Sequence, residues 1–64
     1  PIEYMVRLRI ERAIELLVST DESITDIALR LGYSDGNYFT RQFRALTGVT
    51  PTETRQRSGQ TVAA

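Results

Sequence analysis

Apolar residues recur along the first third of the chain at Ile2, Val6, Ile10, Ala13, Ile14 and Leu17. Steps of three and four place them on one face of a helix, so the pattern predicts a long first helix over about 2–19. Glu3, Arg7 and Glu11 stand four apart on another face, where charges of alternating sign pair weakly and face solvent. Tyr4 and Leu8 fit neither set. They are an i,i+4 pair on nearly the opposite side from the apolar stripe. Two readings stand for them: tolerated surface apolars, or a second contact face for a neighbour outside this chain.

After Thr20-Asp21-Glu22, the run Ser23-Ile24-Thr25-Asp26 has the spacing of a capping box. Ile24, Ile27, Ala28 and Leu31 repeat at i, i+3, i+4, i+7 and predict a short helix. Gly32 stops it in the left-handed conformation open to glycine. Asp26 and Arg30, four apart on its outer side, are expected to pair. Ser34 or Asp35 caps a third helix over about 36–47, closed by Gly48. Phe39, Phe43 and Leu46 share the inner side of that helix, with Tyr38 at the edge. Thr50-Pro51 signals a last short helix over about 51–57, with Pro51 at its first position. Residues 58–64 are small and polar and read as a flexible tail. The expected fold is all-α, a small homeodomain-like bundle of about four helices in one unit over 1–57. Ala28 permits a close helix crossing and Gly32 a sharp turn, so 24–47 reads as a helix-turn-helix.

Composition narrows the chemistry. A chain of 64 residues buries only about 60% of the surface its unfolded form exposes. Stability of about 3–5 kcal/mol is the expectation at that size. The sequence contains no cysteine, histidine or lysine. No disulfide or thiolate metal site is available, and the usual general base is missing. Glu11 and Glu15 share a helix face, but no partner group gives them a catalytic role. No enzyme activity, metal or cofactor is therefore expected. No apolar run nears the ~18 residues of a membrane span, no signal peptide opens the chain, and the composition fits the cytoplasm. Proline rather than methionine at position 1 fits a piece of a longer protein.

Charge is uneven although the net is zero. Residues 1–29 carry three arginines and six acids; residues 30–64 carry five arginines and two acids. Arginine's planar fork suits paired hydrogen bonds to phosphate and guanine. Projected at 100° per residue, the third helix carries Asn37, Thr40, Arg41 and Arg44 opposite its phenylalanines, with Gly36 flanking. These groups can meet base edges or phosphates. Asn pairs with adenine and Arg with guanine. On this reading Gly36 lets the leading turn approach DNA closely. A plain solvated face remains open at this point, as does the alternative that Gly36 and Asn37 are turn residues ahead of a later helix start.

The residues themselves add a resemblance. Y-M-x-x-x-R-I-x-x-A-x-x-L-L (Tyr4 to Leu17), S-I-T-D-I-A-x-x-L-G-Y-S-D (Ser23 to Asp35) and Y-F-T-R-Q-F-R-x-x-T-G-V-T-P (Tyr38 to Pro51) together resemble the AraC/XylS family of bacterial transcription regulators. The likeness corresponds to the second half of that family's DNA-binding domain, a linker helix and the second helix-turn-helix. It implies sequence-specific binding to double-stranded DNA with the recognition helix in the major groove. It implies base-facing roles for Gly36, Asn37, Thr40 and Arg41, and phosphate contacts for Arg44, Thr25 and Ser34. Tyr33, Phe39, Phe43, Ile27 and Leu31 match the family's core. The partners implied are an upstream helix-turn-helix and effector domain of a parent protein, the former packing on Tyr4 and Leu8. The second function considered is a protein-interaction module contacting RNA polymerase or a partner domain through the acidic first helix. One departure stands out: Thr54 occupies the place of the family's aromatic before Arg55, so the last helix is expected to pack less well.

Overall fold

The structure, a computed structural model, describes the backbone of residues 2–63 and the side-chain surroundings of residues 3–58. Four helices follow one another: α1 (Ile2–Ser19), α2 (Ile24–Arg30), α3 (Gly36–Thr47) and α4 (Pro51–Ala63). No helix among the described residues is long and apolar enough to cross a membrane.

The core forms where three elements converge. Ile10, Ala13, Leu16 and Leu17 of α1 meet Ile27 and Ala28 of α2, Tyr33 of the turn, and Phe39 and Phe43 of α3. Val6, Ile14, Ile24, Leu31 and Val49 pack around them, half-buried. Leu16 lies beyond the stripe read from the sequence. Both α2 and α4 pack against α1, so its apolar face must be wider than one narrow seam. The side chain of Ile2, expected on that stripe, lies outside the described residues. Leu46, expected beside the phenylalanines, is instead exposed. The whole last turn of α3, from Arg44 to Gly48, lies past the core and is exposed with it.

Each turn has an identifiable lock. Ser23 caps α2, its Oγ accepting from the Asp26 N–H at 3.0 Å. At the other end Gly32 adopts φ 98°. Its N–H donates to Leu29 O at 3.1 Å while the Tyr33 N–H donates to Ala28 O at 3.0 Å. That pair of reversed bonds is the Schellman ending, which satisfies carbonyls a helix end leaves open. Thr50 and Glu53 cap α4 reciprocally: the Glu53 N–H donates to Thr50 Oγ1 at 3.1 Å and the Thr50 N–H to Glu53 Oε1 at 3.4 Å. Helix α4 continues to Ala63, past the end near residue 57 read from the sequence. No proline interrupts it, and adding a residue to a nucleated helix costs little. Of the tail expected over 58–64, residues 58–63 are thus helical and Ala64 lies outside the described residues.

The C-terminus of α1 has no basic residue in its last turn and no glycine after it. Arg55 of α4 supplies both functions. Its Nε donates to Leu17 O and its Nη2 to Thr20 O, each at 3.1 Å. A cation at the negative end of a helix dipole adds to the two bonds. Thr54, in place of an aromatic, is half-buried and donates to Thr50 O at 3.2 Å. Arg55 and the buried Pro51, rather than an aromatic ring, therefore hold α4 to the bundle. Arg55→Ala should cost about 1–2 kcal/mol, because bonds to a charged donor are lost while the freed carbonyls can still take up water. A lowered urea midpoint with an unchanged denaturant slope would show it.

Candidate nucleic-acid interface

The start of α3 is set by Asp35, whose Oδ1 accepts from the Tyr38 N–H at 2.8 Å. Ser34 is exposed in the bend before it, so of the two candidate caps Asp35 acts. Gly36 and Asn37 are the first two helical residues and not part of the preceding turn. Their N–H groups would lack intrahelical partners in any case, so weak helix propensity costs less there than in the interior.

Gly36 faces α2. A Cβ built on it would lie 3.1 Å from Thr25 Oγ1 and 3.6 Å from Thr25 Cα. The missing side chain lets the first turn of α3 sit directly against the first turn of α2. The missing side chain thus serves an internal close contact, and Gly36 also lines the open groove beside it.

Beside that contact an open groove is lined by Ile24, Thr25, Gly36, Asn37, Thr40 and Thr52. Four predicted positions, Thr25, Gly36, Asn37 and Thr40, thus come together. Ser34, Arg41 and Arg44 do not line the groove. Arg41 and Arg44 are exposed on α3, on the same helical face as Asn37 and Thr40. Thr52 was missed by sequence reasoning. Its signal was the T-x-x-E spacing of Thr50 and Glu53, which fixes the start of α4 and places Thr52 in its first turn.

Five of the eight arginines, Arg57 among them, have partners within the chain. Arg12 pairs with Glu15 and Arg30 with Glu22, each at 2.9 Å. Arg30 does not pair with Asp26 as expected, since the longer Glu22 side chain reaches it from the loop. Arg9 lies over the Tyr33 ring, 5.9 Å from its centroid. Arg55 is spent on α1. Arg41 and Arg44 have no hydrogen bond, ion pair or ring contact among the described residues. Helix α3 contains no acid of its own (GNYFTRQFRALT). The charge excess of the second half is therefore concentrated, as unengaged charge, on the outer face of α3.

That face is held from behind by an aromatic chain. The rings of Tyr33 and Phe39 are 5.2 Å apart and those of Phe39 and Phe43 5.7 Å apart. The Tyr33 hydroxyl also donates to Gln42 Oε1. Burial pushes the Tyr33 phenol above its ordinary pKa, against the opposing pull of Arg9. The neutral, hydrogen-bonding form of Tyr33 therefore holds the middle of α3 in place.

Comparison with known proteins gives a consistent picture. A family model described as a helix-turn-helix domain matches residues 1–57. The chain is 49% identical over 55 residues to the HTH-type transcriptional activator RhaR of Mannheimia succiniciproducens, covering 86% of this chain and 20% of that protein. It is 40% identical over 60 residues to the MmsAB operon regulatory protein of Pseudomonas aeruginosa, covering 94% and 20%. The chain thus spans a fifth of the length of these curated relatives, 20% in each case. Among solved structures it is similar to a transcriptional regulator from Chromobacterium violaceum described as an AraC-type DNA-binding domain-containing protein. The TM-score is 0.89 at 38% identity, over 94% of this chain and 54% of that one.

Proposed function

The chain belongs to the AraC-type helix-turn-helix family, and we propose that it binds double-stranded DNA sequence-specifically as one part of a bacterial transcription regulator. The observation that carries this reading is the outer face of α3. It presents Asn37, Thr40, Arg41 and Arg44 with no acid on the helix and no partner for either arginine among the described residues. In the major groove, Asn37, Thr40 and Arg41 face base edges and Arg44 reaches a phosphate. One strand of the duplex lies along the neighbouring groove, where the hydroxyls of Thr25 and Thr52 donate to phosphate oxygens. Ser34, exposed just before the cap, is a further candidate for the same strand. On this reading the protein works in the bacterial cytoplasm, is not an enzyme and needs no cofactor. This chain has no histidine, cysteine or lysine to serve as general base or nucleophile.

A second surface supports a role for the rest of a parent protein. Tyr4, Met5 and Leu8 of α1 are 61%, 58% and 48% exposed, a cluster of large apolar side chains on one end of a helix. An upstream helix-turn-helix of the parent is its proposed occupant, with an effector domain beyond. Contact with RNA polymerase through α1 is the alternative use of that helix.

Titration of isotopically labelled chain with duplex DNA tests the main reading. Amide shifts should fall on residues 36–44 and on Thr25 and Thr52. Binding should weaken with salt at a slope of about −2 to −4, since only about two to four phosphates are neutralised. Shifts confined to residues 4–15, or binding indifferent to salt, would overturn it.

A further inference from the structure

We infer that Asp35–Gly36 is a site of spontaneous isomerisation to isoaspartate, and that the reaction undoes the start of α3. The chain's aspartates are Asp21, Asp26 and Asp35. Asp21 precedes Glu22 and Asp26 precedes Ile27, whereas Asp35 precedes a glycine. In the first step the Gly36 nitrogen attacks Cγ of the neutral Asp35 carboxyl. An N–Cγ bond forms and the Cγ–OH bond breaks. The hydroxyl leaves as water with the former amide proton, and a succinimide ring remains. Water then adds to either ring carbonyl. Opening at Cγ restores aspartate. Opening at the Asp35 main-chain carbonyl carbon leaves the chain running through Cβ and Cγ, with a free carboxylate on Cα. Water is the only co-reactant, mass and formal charge are unchanged overall, and no step depends on DNA.

Asp35 is exposed and extended, at φ −159° and ψ 169°, so its carboxyl stands at the surface ahead of the helical backbone. Gly36 has no Cβ to crowd its nitrogen. Its N–H is among the first four of α3, which have no intrahelical acceptor. Among the described residues Asp35 is held by its Oδ1, which accepts from the Tyr38 N–H at 2.8 Å, and by its main-chain O, which accepts from the Phe39 N–H at a long 3.5 Å. Opening a helix end held so lightly requires much less than global unfolding, and it frees the carboxyl to turn back on Gly36. The other aspartates lack these conditions. Asp26 lies inside α2 and precedes the fully buried Ile27. Asp21 precedes Glu22, whose side chain is tied to Arg30 at 2.9 Å. The product cannot rebuild the start of α3. The side-chain carbonyl that took the Tyr38 N–H has become part of a main-chain amide, and the link to Gly36 is longer by one carbon. Gly36 is fitted closely against α2, with Thr25 Oγ1 3.1 Å from where its Cβ would be, so the longer link displaces it.

The test is to age the whole chain in warm neutral buffer, below its melting temperature, and then digest it with trypsin. Arg30 and Arg41 bound a peptide 31–41 that holds Asp35, while Arg12 and Arg30 bound a peptide 13–30 that holds Asp21 and Asp26. Peptide 31–41 should resolve with time into two species of equal mass, with fragmentation placing the change at Asp35. Peptide 13–30 should stay single. Asp35→Ser keeps a capping oxygen but has no carboxyl to close on Gly36, so its peptide should also stay single. In an amide spectrum of the aged chain, a second set of signals should appear for residues 36–40 and for Thr25. An unchanged peptide 31–41, or isomerisation spread alike over Asp21, Asp26 and Asp35, would overturn the site. Isoaspartate at position 35 with the α3 amides unmoved would overturn its effect on the helix.

Discussion

Phe43→Ala should unfold the domain at room temperature. Phe43 has 0% of its surface exposed and closes the aromatic chain that runs from Tyr33 through Phe39. Removing a buried phenylalanine leaves a cavity and costs about 3–5 kcal/mol. The whole domain is worth about as much, since a core of this size supplies only about 3–5 kcal/mol. The surrounding groups have little freedom to collapse into the space, because α1 and α2 meet the same core from the other side. Far-UV circular dichroism during a thermal scan would show the loss. A variant that melts cooperatively near the parent temperature would mean that α3 is not anchored by this residue.

Arg41→Ala should leave the fold unchanged and weaken binding to the preferred duplex by about 1–3 kcal/mol. The side chain is exposed and makes no hydrogen bond, ion pair or ring contact among the described residues, so its removal leaves no buried group unpaired. On the proposed reading it donates two bonds to a single base, and losing both is felt mainly on the matched sequence. The contrast with Arg55 makes the result interpretable. Arg55→Ala should lower stability while leaving the salt slope of binding unchanged, because Arg55 already donates to two carbonyls of the chain. Arg41→Ala should do the reverse. Fluorescence anisotropy with matched and mismatched duplexes, read beside urea denaturation, separates the two. An Arg41→Ala protein with unaltered affinity and sequence preference would remove Arg41 from the interface.

Much of the architecture was legible because local rules governed it. Phe39 and Phe43 stand four apart and both are fully buried. Gly32 had only one useful conformation after Leu31, and it adopts it. Asp35 sits where a helix needs an acceptor. The resemblance to AraC-type regulators rested on motifs spread over three helices, and the comparisons uphold it. The misses have a common cause. Leu16 is buried and Leu46 exposed because α2 and α4 both pack on α1 while the last turn of α3 lies past the core, and helical periodicity does not encode which element arrives where. Arg55 looked like part of a basic half, yet its partners are carbonyls far back in the chain, invisible to any local pattern. Thr52 joins the groove only once α4 is docked. For Gly36 the residue type signalled a close approach, and the packed structure adds Thr25 of α2 as a neighbour that no local pattern names.

The Arg55 contacts carry a consequence for how the chain assembles. Leu17 and Thr20 find their donor 38 and 35 residues downstream. During synthesis the exit of the first helix therefore stays unsealed until nearly the whole unit has left the ribosome. Such distant closures slow folding relative to purely local ones. A nascent chain cut before residue 55 is left without the clasp that ties the exit of α1 to α4.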